Sequence, residues 1–192
     1  MYVSILMTNF NIVGLMLVKD DSKRLTHKNT RMLCGKQMFL WNLKKALKVL
    51  DKVYVSSESD EILRLARENK AKVIKRPTKL CGDTPNITVY QHAIEFMDSP
   101  DIIMAIQANS PNLEESLITD AKYLMEYGFK ELMTCHEDHL IYGSIWAIRK
   151  IRLMSYGDPY KPRPEVLLVD DSIDIHNEED FKTAQRMMEY GS

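Results

Sequence analysis

The chain has 192 residues, of which 45% are hydrophobic and 28% are charged. This length and composition predict one globular domain with a buried core, and they exclude a disordered or fibrous protein. The formal net charge of −1 gives no general attraction to nucleic acid or to an anionic membrane. We therefore expect neither partner, and any binding of anions must come from a local cluster of cations.

Cysteine usage and the N-terminal segment indicate the compartment. Cys34, Cys81 and Cys135 are widely spaced and form no Cys-x-x-Cys pair, which argues against a disulfide framework or a structural zinc site. The apolar start has no preceding basic segment, and residues 19–21 follow it in place of a cleavage site. Because no apolar run is long enough to span a bilayer either, we expect a cytoplasmic protein.

Apolar runs and segments of helical period alternate along the chain. Residues 1–10 are a possible extra strand or tail. The elements predicted next, in chain order, are a strand at 12–18, a helix at 38–50, a strand at 53–55, a helix capped by Ser59 or Asp60, a strand at 71–74, a helix at 85–97, a strand at 101–107 and a helix at 114–127 ended by Gly128. Strands at 132–135 and 141–148, an irregular stretch at 149–164, strands at 166–169 and 173–175 and a last helix capped by Asn177 complete the prediction.

Strands that alternate with helices of 10–15 residues predict a mostly parallel sheet with right-handed crossovers. The expected fold is a single α/β domain over residues 1–192, with three α/β/α layers of the Rossmann-like type. In such sheets ligands bind beyond the carboxyl ends of the strands. The loops after the first, third and fourth strands are therefore the places where a site is expected.

The loop after the first strand is rich in cations and hydrogen-bonding groups. Within eleven residues it contains Lys19, Ser22, Lys23, Arg24, His27, Lys28 and Asn29. Such a cluster can neutralise a triphosphate, although a solvated basic loop is the simpler alternative. The loop contains neither a Walker P-loop motif nor a GxGxxG dinucleotide motif.

The run from Lys19 to Asn29, with its SKRLTHKN sequence, resembles the signature loop of the acylneuraminate cytidylyltransferases, the CMP-sialic acid synthetases and their relatives. Five further blocks resemble that family and follow in the family's order: GKQM with Trp41, VSSESDEI, RPTKLCGDT, QANSP and SIDIHNEED. Each block alone is a weak signal. Six blocks in the right order are specific.

The resemblance implies a fold of the nucleotide-diphospho-sugar transferase type and transfer of CMP from CTP to an acidic sugar, with release of pyrophosphate. It implies Mg²⁺ as the cofactor, with Mn²⁺ possible. By resemblance, the nucleotide-binding residues are Lys19, Ser22, Lys23, Lys28, Asn29, Arg76, Cys81, Asp83 and Ser110. The catalytic residues are Lys23, Gln107 and Asp174, and the metal ligands are Asp174 and His176.

Several positions depart from the family pattern. His176 stands where the family has its second metal-binding aspartate, although imidazole is not a ligand that Mg²⁺ prefers. Asp20 and Asp21 place negative charge beside the expected triphosphate. Between the strands at 132–135 and 141–148, the family's long segment for sugar binding and dimerisation is replaced by residues 136–140. We interpret these five residues as a polar hairpin turn in preference to a metal cluster.

These departures leave alternatives open. The leading hypothesis is a small cytidylyltransferase, either a monomer or a homodimer of a non-standard kind. The alternative is a non-catalytic relative that binds a nucleotide or a protein partner. A sugar-1-phosphate nucleotidyltransferase that uses another nucleotide has less support, because its loop is normally glycine-rich before the basic residue.

Overall fold

The computed structural model describes residues 9–20, 25–138 and 140–190, and of Tyr142 the backbone alone. The strands are β1 (Ile12–Leu17), β2 (Met32–Leu33), β3 (Lys36–Gln37), β4 (Val53–Ser57), β5 (Lys72–Lys75), β6 (Ile102–Ile106), β7 (Glu131–Cys135), β8 (Ile141–Arg149) and β9 (Val166–Val169). The helices are α1 (Met38–Val49), α2 (Asp60–Glu68), α3 (Asn86–Ile94), α4 (Glu115–Tyr127), α5 (Lys150–Met154) and α6 (Glu178–Tyr190). Two 3₁₀ turns occupy Lys28–Thr30 and Thr78–Leu80.

Seven strands form one sheet in the order β5-β4-β1-β6-β8-β7-β9. The pairs β4–β5, β1–β4, β1–β6 and β7–β9 are parallel, and β8 runs antiparallel to both of its neighbours. The predicted mostly parallel sheet is therefore confirmed. The carboxyl ends of β1, β4 and β6 meet at one edge of the sheet, where a ligand site is expected.

Helices cover both faces of the sheet. On one face α1, α2 and α4 pack their apolar stripes against the strands, through buried Leu43, Ile62 and Ile118 among others. On the other face α3 and α5 contribute Tyr90 and Leu153 to a second cluster. The three α/β/α layers predicted from the alternation of strands and helices are confirmed.

Helix α6 lies apart from these two clusters. Its Phe181 and Ala184 pack with Leu33, Met38 and Ile175 in a third core cluster. This packing holds residues 170–177, which connect β9 to α6, across the carboxyl edge of the sheet. The C-terminal segment thereby becomes part of the site described below.

Local signals placed most helix ends correctly. Ser59 caps α2 by accepting a hydrogen bond from the Ile62 amide, Gly128 ends α4 with φ of 132°, and the Asn177 side chain accepts hydrogen bonds from the Glu179 and Asp180 amides. These caps satisfy amides and carbonyls that helices leave without intrahelical partners.

Two sequence predictions were wrong. Residues 173–175 form no strand, because the chain leaves the sheet after Val169 and its backbone amides at Ile173 and Ile175 instead donate to Asn112 and Asn109. The stretch 149–164, predicted to be irregular, contains α5. The extra strand or tail predicted for residues 1–10 falls mostly outside the described residues, since the description begins at Asn9.

Candidate active site

A cavity of about 590 Å³ lies at the carboxyl edge of the sheet. Its walls come from the ends of β1, β4 and β6, the two 3₁₀ turns, the start of α3 and the segment before α6. The lining residues are Leu17, Lys19, Lys28, Asn29, Glu58, Thr78, Cys81, Gly82, Asp83, Asn86, Gln107, Ala108, Asn109 and His176. Most of them are polar, as expected of a site for a polar ligand.

The first wall is the basic loop after β1. Lys19 Nζ donates a 2.5 Å hydrogen bond to the carbonyl of Gly82, so that the loop after β1 contacts the loop after β5. Asn29 is 7% exposed, and its Nδ2 donates to the Lys19 carbonyl over 2.7 Å. Its Oδ1 has no hydrogen-bond partner among the described residues. The Asn29 amide therefore supports the backbone of the loop after β1 through its bond to Lys19.

Lys28 connects the same loop to the C-terminal segment. It begins the first 3₁₀ turn directly after His27, which has a left-handed backbone with φ of 51°. From there Lys28 Nζ donates a 2.5 Å hydrogen bond to the carbonyl of Ile175. Lys19 and Lys28 therefore each contact a backbone carbonyl at the rim of the cavity, and their ammonium groups supply its positive charge.

A buried ion pair supports the second wall. The side chain of Arg76 is 0% exposed, and its Nη2 donates to Glu58 Oε2 and to the Val18 carbonyl. The Asp20 amide donates to Glu58 Oε1 over 2.8 Å. Burial by itself would raise the pKa of Glu58, but the hydrogen bonds from Arg76 and Asp20 outweigh it and lower the pKa. The Glu58 carboxylate is thus held in its ionised form.

The loop after β5 contributes backbone and the Cys81 side chain. The second 3₁₀ turn ends at Cys81, and Gly82 follows with φ of 70°, a conformation that glycine adopts without strain. Burial raises the pKa of the Cys81 thiol, so that Cys81 stays protonated and is a poor nucleophile. This loop is suited to contacts through its main chain.

The third wall is the loop that follows β6. The Gln107 amide donates to the Ser144 carbonyl over 2.8 Å, and a Cβ placed on Gly143 would lie 3.9 Å from Gln107 Nε2. Two residues on, Asn109 Nδ2 donates to Asp174 Oδ1, and the Asn109 carbonyl accepts from the Ile175 amide over 2.9 Å. The loop after β6 is thereby joined to the C-terminal segment.

Asp174 and His176 form a pair at the cavity. His176 Nε2 lies 2.7 Å from Asp174 Oδ2, and the two side chains are 42% and 24% exposed. The backbone amide of His176 donates to the Asp180 carboxylate in the first turn of α6 over 2.8 Å. Within residues 9–20, 25–138 and 140–190, no three His, Cys, Asp or Glu side chains gather as a metal site. A cation bound at this pair would therefore need further ligands from a substrate.

The structure brings most of the predicted site residues to this cavity. Its lining includes Lys19, Lys28, Asn29, Cys81, Asp83, Gln107 and His176, and Asp174 contacts the lining residues Asn109 and His176. Ser22 and Lys23 lie outside the described residues. The roles assigned to all these residues stay predictions.

Two predicted site residues occupy other places. Arg76 is 1% exposed and is not among the residues that line the cavity; its guanidinium pairs with Glu58 behind the wall. Ser110 is fully buried and does not line the cavity, while its carbonyl accepts a hydrogen bond from Asn42. In this structure both residues support the loops of the site, and their assignment to nucleotide binding stays a prediction. The residue types suited nucleotide binding, but their burial depends on packing that the sequence does not reveal.

Sequence reasoning missed some lining residues. Glu58 was visible in the VSSESDEI block, yet its contact with Arg76 gave no local signal. Thr78 lies in the second 3₁₀ turn and within the RPTKLCGDT block, which assigned it no role, and Asn86 lies at the start of α3 outside all six blocks. Among residues 136–140, the predicted hairpin is confirmed by the antiparallel pairing of β7 with β8. The alternative metal cluster included His139, which is not among the described residues.

The fold and the site define an α/β protein of the nucleotide-diphospho-sugar transferase type. A solved CMP-2-keto-3-deoxy-manno-octonic acid synthetase in complex with CTP superposes with a TM-score of 0.75, 13% sequence identity and coverage of 93% of this chain and 98% of that one. A Mycobacterium tuberculosis H37Rv protein solved in complex with manganese gives a TM-score of 0.70 at 13% identity, with coverage of 92% and 98%. At these identities the similarity establishes the fold.

Sequence similarity establishes the family. The family model described as Cytidylyltransferase matches residues 14–138, and this chain belongs to that family. N-acylneuraminate cytidylyltransferase B of Danio rerio is 32% identical to it over 129 residues, which are 66% of this chain and 30% of the fish protein. The chain thus spans less than a third of the length of that relative.

Among the described residues, none of the helices is both long and apolar enough to cross a membrane.

Proposed function

We propose that this chain transfers CMP from CTP to a hydroxyl group of an acidic sugar, with release of pyrophosphate. The observation that carries the proposal is the arrangement of one cavity, which Lys19 and Lys28 line and where Lys28 Nζ contacts the Ile175 carbonyl between Asp174 and His176. Cations for a triphosphate and a carboxylate for a divalent metal are the parts that this reaction needs.

In the proposed reaction, the sugar hydroxyl oxygen forms a bond to the α-phosphorus of CTP. The bond from that phosphorus to the bridging oxygen of the β-phosphate breaks, pyrophosphate leaves with the electron pair, and the hydroxyl loses its proton. Catalysis of this step depends on positioning and on neutralising charge more than on covalent chemistry. Lys19 and Lys28 would exchange their carbonyl contacts for phosphate oxygens, and Ser22 and Lys23 would extend this cradle.

The nucleoside would lie between the loops after β1 and β5. The turn at Cys81 and Gly82 offers main-chain groups to the base, and Asp83 lies beside them on the same wall. Asn29 lines the same cavity, and its assignment to nucleotide binding stays a prediction.

Asp174 is suited to hold a divalent cation. Mg²⁺ in nucleotide-using enzymes is commonly bound by one or two carboxylates together with substrate phosphates, and Asp174 supplies one carboxylate next to the cavity. His176 adds a nitrogen donor, which moves the preference from Mg²⁺ toward softer cations such as Mn²⁺. When bound, the cation would neutralise charge on the phosphates. The manganese complex of a structural neighbour is consistent with this choice.

The acidic class of the acceptor is supported by the relatives. The Danio rerio relative is named for N-acylneuraminate, and the CTP-bound structure for 2-keto-3-deoxy-manno-octonic acid. The acceptor hydroxyl would enter beside Gln107, which lines the cavity.

The test has two stages. CTP, ATP, GTP and UTP are first titrated calorimetrically into the protein, with Mg²⁺ and again with Mn²⁺. We expect metal-dependent binding that is selective for CTP. Pyrophosphate release is then measured with N-acetylneuraminate and with 2-keto-3-deoxy-manno-octonate as acceptors. Binding of CTP without release of pyrophosphate for either acceptor would contradict the proposal and support a non-catalytic relative instead.

A further inference from the structure

Asn42 is a fully buried amide beneath the loop after β6. It lies in α1 and is 0% exposed. Its Nδ2 donates two short hydrogen bonds, to the carbonyl of Gln107 over 2.8 Å and to that of Ser110 over 2.7 Å. One side chain therefore holds both ends of the four-residue turn from Gln107 to Ser110.

The orientation of this amide is fixed by chemistry. If the amide were rotated by 180°, Oδ1 would face two carbonyl oxygens, which are acceptors only. In the orientation present, Oδ1 is buried without a hydrogen-bond partner among the described residues. An orphaned buried acceptor destabilises the fold. A leucine of similar shape would avoid that cost, so the two donated hydrogen bonds are the property that distinguishes asparagine here.

The turn that Asn42 holds carries groups of the site. Gln107 and Asn109 line the cavity, and Asn109 Nδ2 donates to Asp174 Oδ1. The Asn109 carbonyl also accepts from the Ile175 amide over 2.9 Å. Displacement of the turn would therefore displace both the Gln107 side chain and the carboxylate of Asp174.

We propose that Asn42 is a positioning residue for the transfer reaction: through the carbonyls of Gln107 and Ser110 it fixes the turn that holds Asp174 in place. This inference rests on the proposed function. Asn42 touches neither the cavity nor a substrate, and it acts through the backbone of the turn. Loss of such supporting contacts commonly costs about 10–100-fold in activity or metal affinity.

The same helix offers a matched control. Lys45 Nζ donates to the carbonyls of Pro111 over 2.9 Å and Leu113 over 2.6 Å. Lys45→Met thus also removes from α1 a side chain that donates to two backbone carbonyls. Both of these carbonyls lie beyond the turn from Gln107 to Ser110. A general loosening of this region would affect both variants. Asn112, between the two carbonyls that Lys45 bonds, accepts from the Ile173 amide, whereas the contacts of Asn109 with Asp174 and Ile175 belong to the turn that Asn42 holds.

The experiment compares Asn42→Leu, Asn42→Ala and Lys45→Met in the full chain. For Asn42→Leu we expect a fall in kcat of about 10–100-fold with the KM for CTP changed less than about 3-fold, and faster hydrogen exchange of the Ile175 amide. Lys45→Met should keep kcat within about 3-fold of the wild type. Asn42→Ala leaves room for a water that can donate to both carbonyls. Its kcat should therefore exceed that of Asn42→Leu, although its lost packing lowers the free energy of unfolding more.

The two asparagine variants separate positioning from stability. If kcat follows the free energy of unfolding across the three variants, or if Ile175 exchanges equally in Asn42→Leu and Lys45→Met, the proposal is overturned. Should Asn42→Leu fail to fold, the loss of kcat at unchanged KM in Asn42→Ala is the deciding measurement. A wild-type protein that releases no pyrophosphate would refute the proposed function alone, because hydrogen exchange at Ile175 still decides whether Asn42 fixes the turn.

Discussion

His176 Nε2 lies 2.7 Å from Asp174 Oδ2, and Asn109 donates to the other oxygen of the same carboxylate. The Asp174 carboxylate is thus oriented from both sides, by an imidazole that is two residues away in the chain and by an amide from a distant loop. Such orientation of a ligand before the metal binds is what a catalytic carboxylate requires.

Removal of the Asp174 charge should abolish transfer. Asp174→Asn keeps the size of the side chain but removes the anionic oxygen available to a divalent cation, so we expect kcat for pyrophosphate release to fall at least about 100-fold. Asp171→Asn is the control, because Asp171 is an exposed residue of the same segment. Circular dichroism should show an intact fold for both. Full activity in Asp174→Asn would refute the metal assignment.

Replacement of His176 by aspartate should change the preferred metal. His176→Asp gives the site a second carboxylate in place of a nitrogen donor, and a nitrogen donor disfavours Mg²⁺ more than it disfavours Mn²⁺. We expect the ratio of activity with Mg²⁺ to activity with Mn²⁺ to rise about 10-fold relative to the wild type. A ratio that does not change would show that His176 is not a ligand.

Lys28 should contribute to the affinity for the triphosphate. In Lys28→Met the ammonium at the rim is lost, and we expect the KM for CTP to rise about 10-fold at low salt, with a smaller difference at high salt because screening weakens the interaction. Lys44→Met, on the exposed side of α1, is the matched control and should leave the KM unchanged. Equal KM values for the two variants would exclude Lys28 from the phosphate cradle.

The ion pair between Glu58 and Arg76 should give the protein part of its acid sensitivity. The hydrogen bonds from Arg76 and Asp20 lower the pKa of Glu58 against the opposing effect of burial. The pKa of Glu58 is therefore lower in the folded protein than in the unfolded chain. At pH values between these two pKa values, the unfolded chain binds more protons than the folded protein. The stabilisation is therefore complete above the unfolded pKa, about 4.3, and is lost as the pH falls through the folded pKa.

Urea unfolding of Glu58→Gln across pH tests this expectation. The wild type should be more stable than Glu58→Gln by a constant amount at pH of about 6–8, and the difference should shrink below a pH of about 4.3. Glu61→Gln, at an exposed position of α2, should show no such convergence. A difference between wild type and Glu58→Gln that stays constant in acid would show that the carboxylate is not stabilised by Arg76.

Glu131 should stabilise the fold without a part in the reaction. It is 0% exposed, and its carboxylate accepts hydrogen bonds from Trp146, Arg152 and Tyr156. Glu131→Gln leaves Arg152 without its buried anion, so we expect the free energy of unfolding to fall by about 3 kcal/mol. The kcat of the folded protein should not change. Glu165 is a more exposed partner of Arg152, and its Oε1 lies 3.6 Å from Arg152 Nη1. Glu165→Gln should therefore lower the free energy of unfolding much less.

The sequence predicted the architecture because its signals are local. Apolar runs separated by segments of helical period require alternating strands and helices, and this alternation leads to a parallel sheet with its ligand site at the carboxyl edge. The segment 173–175 shows where the local pattern fails. Ile173, Asp174 and Ile175 fit a short strand, yet no strand of the described part of the chain pairs with them. Side chains of Asn109 and Asn112 hold this segment instead.

By itself the sequence determined the fold class, the order of the layers and three of the loops that meet at the cavity. The tertiary structure alone decided which polar residues face that cavity and which support it from behind. Arg76 pairs with Glu58 beneath the wall, and Asn42 in α1 bonds to a turn 65 residues away. The spacing of apolar residues predicts which face of a helix or strand is buried. The partner of a polar side chain instead depends on tertiary packing, which brings distant segments within hydrogen-bond distance.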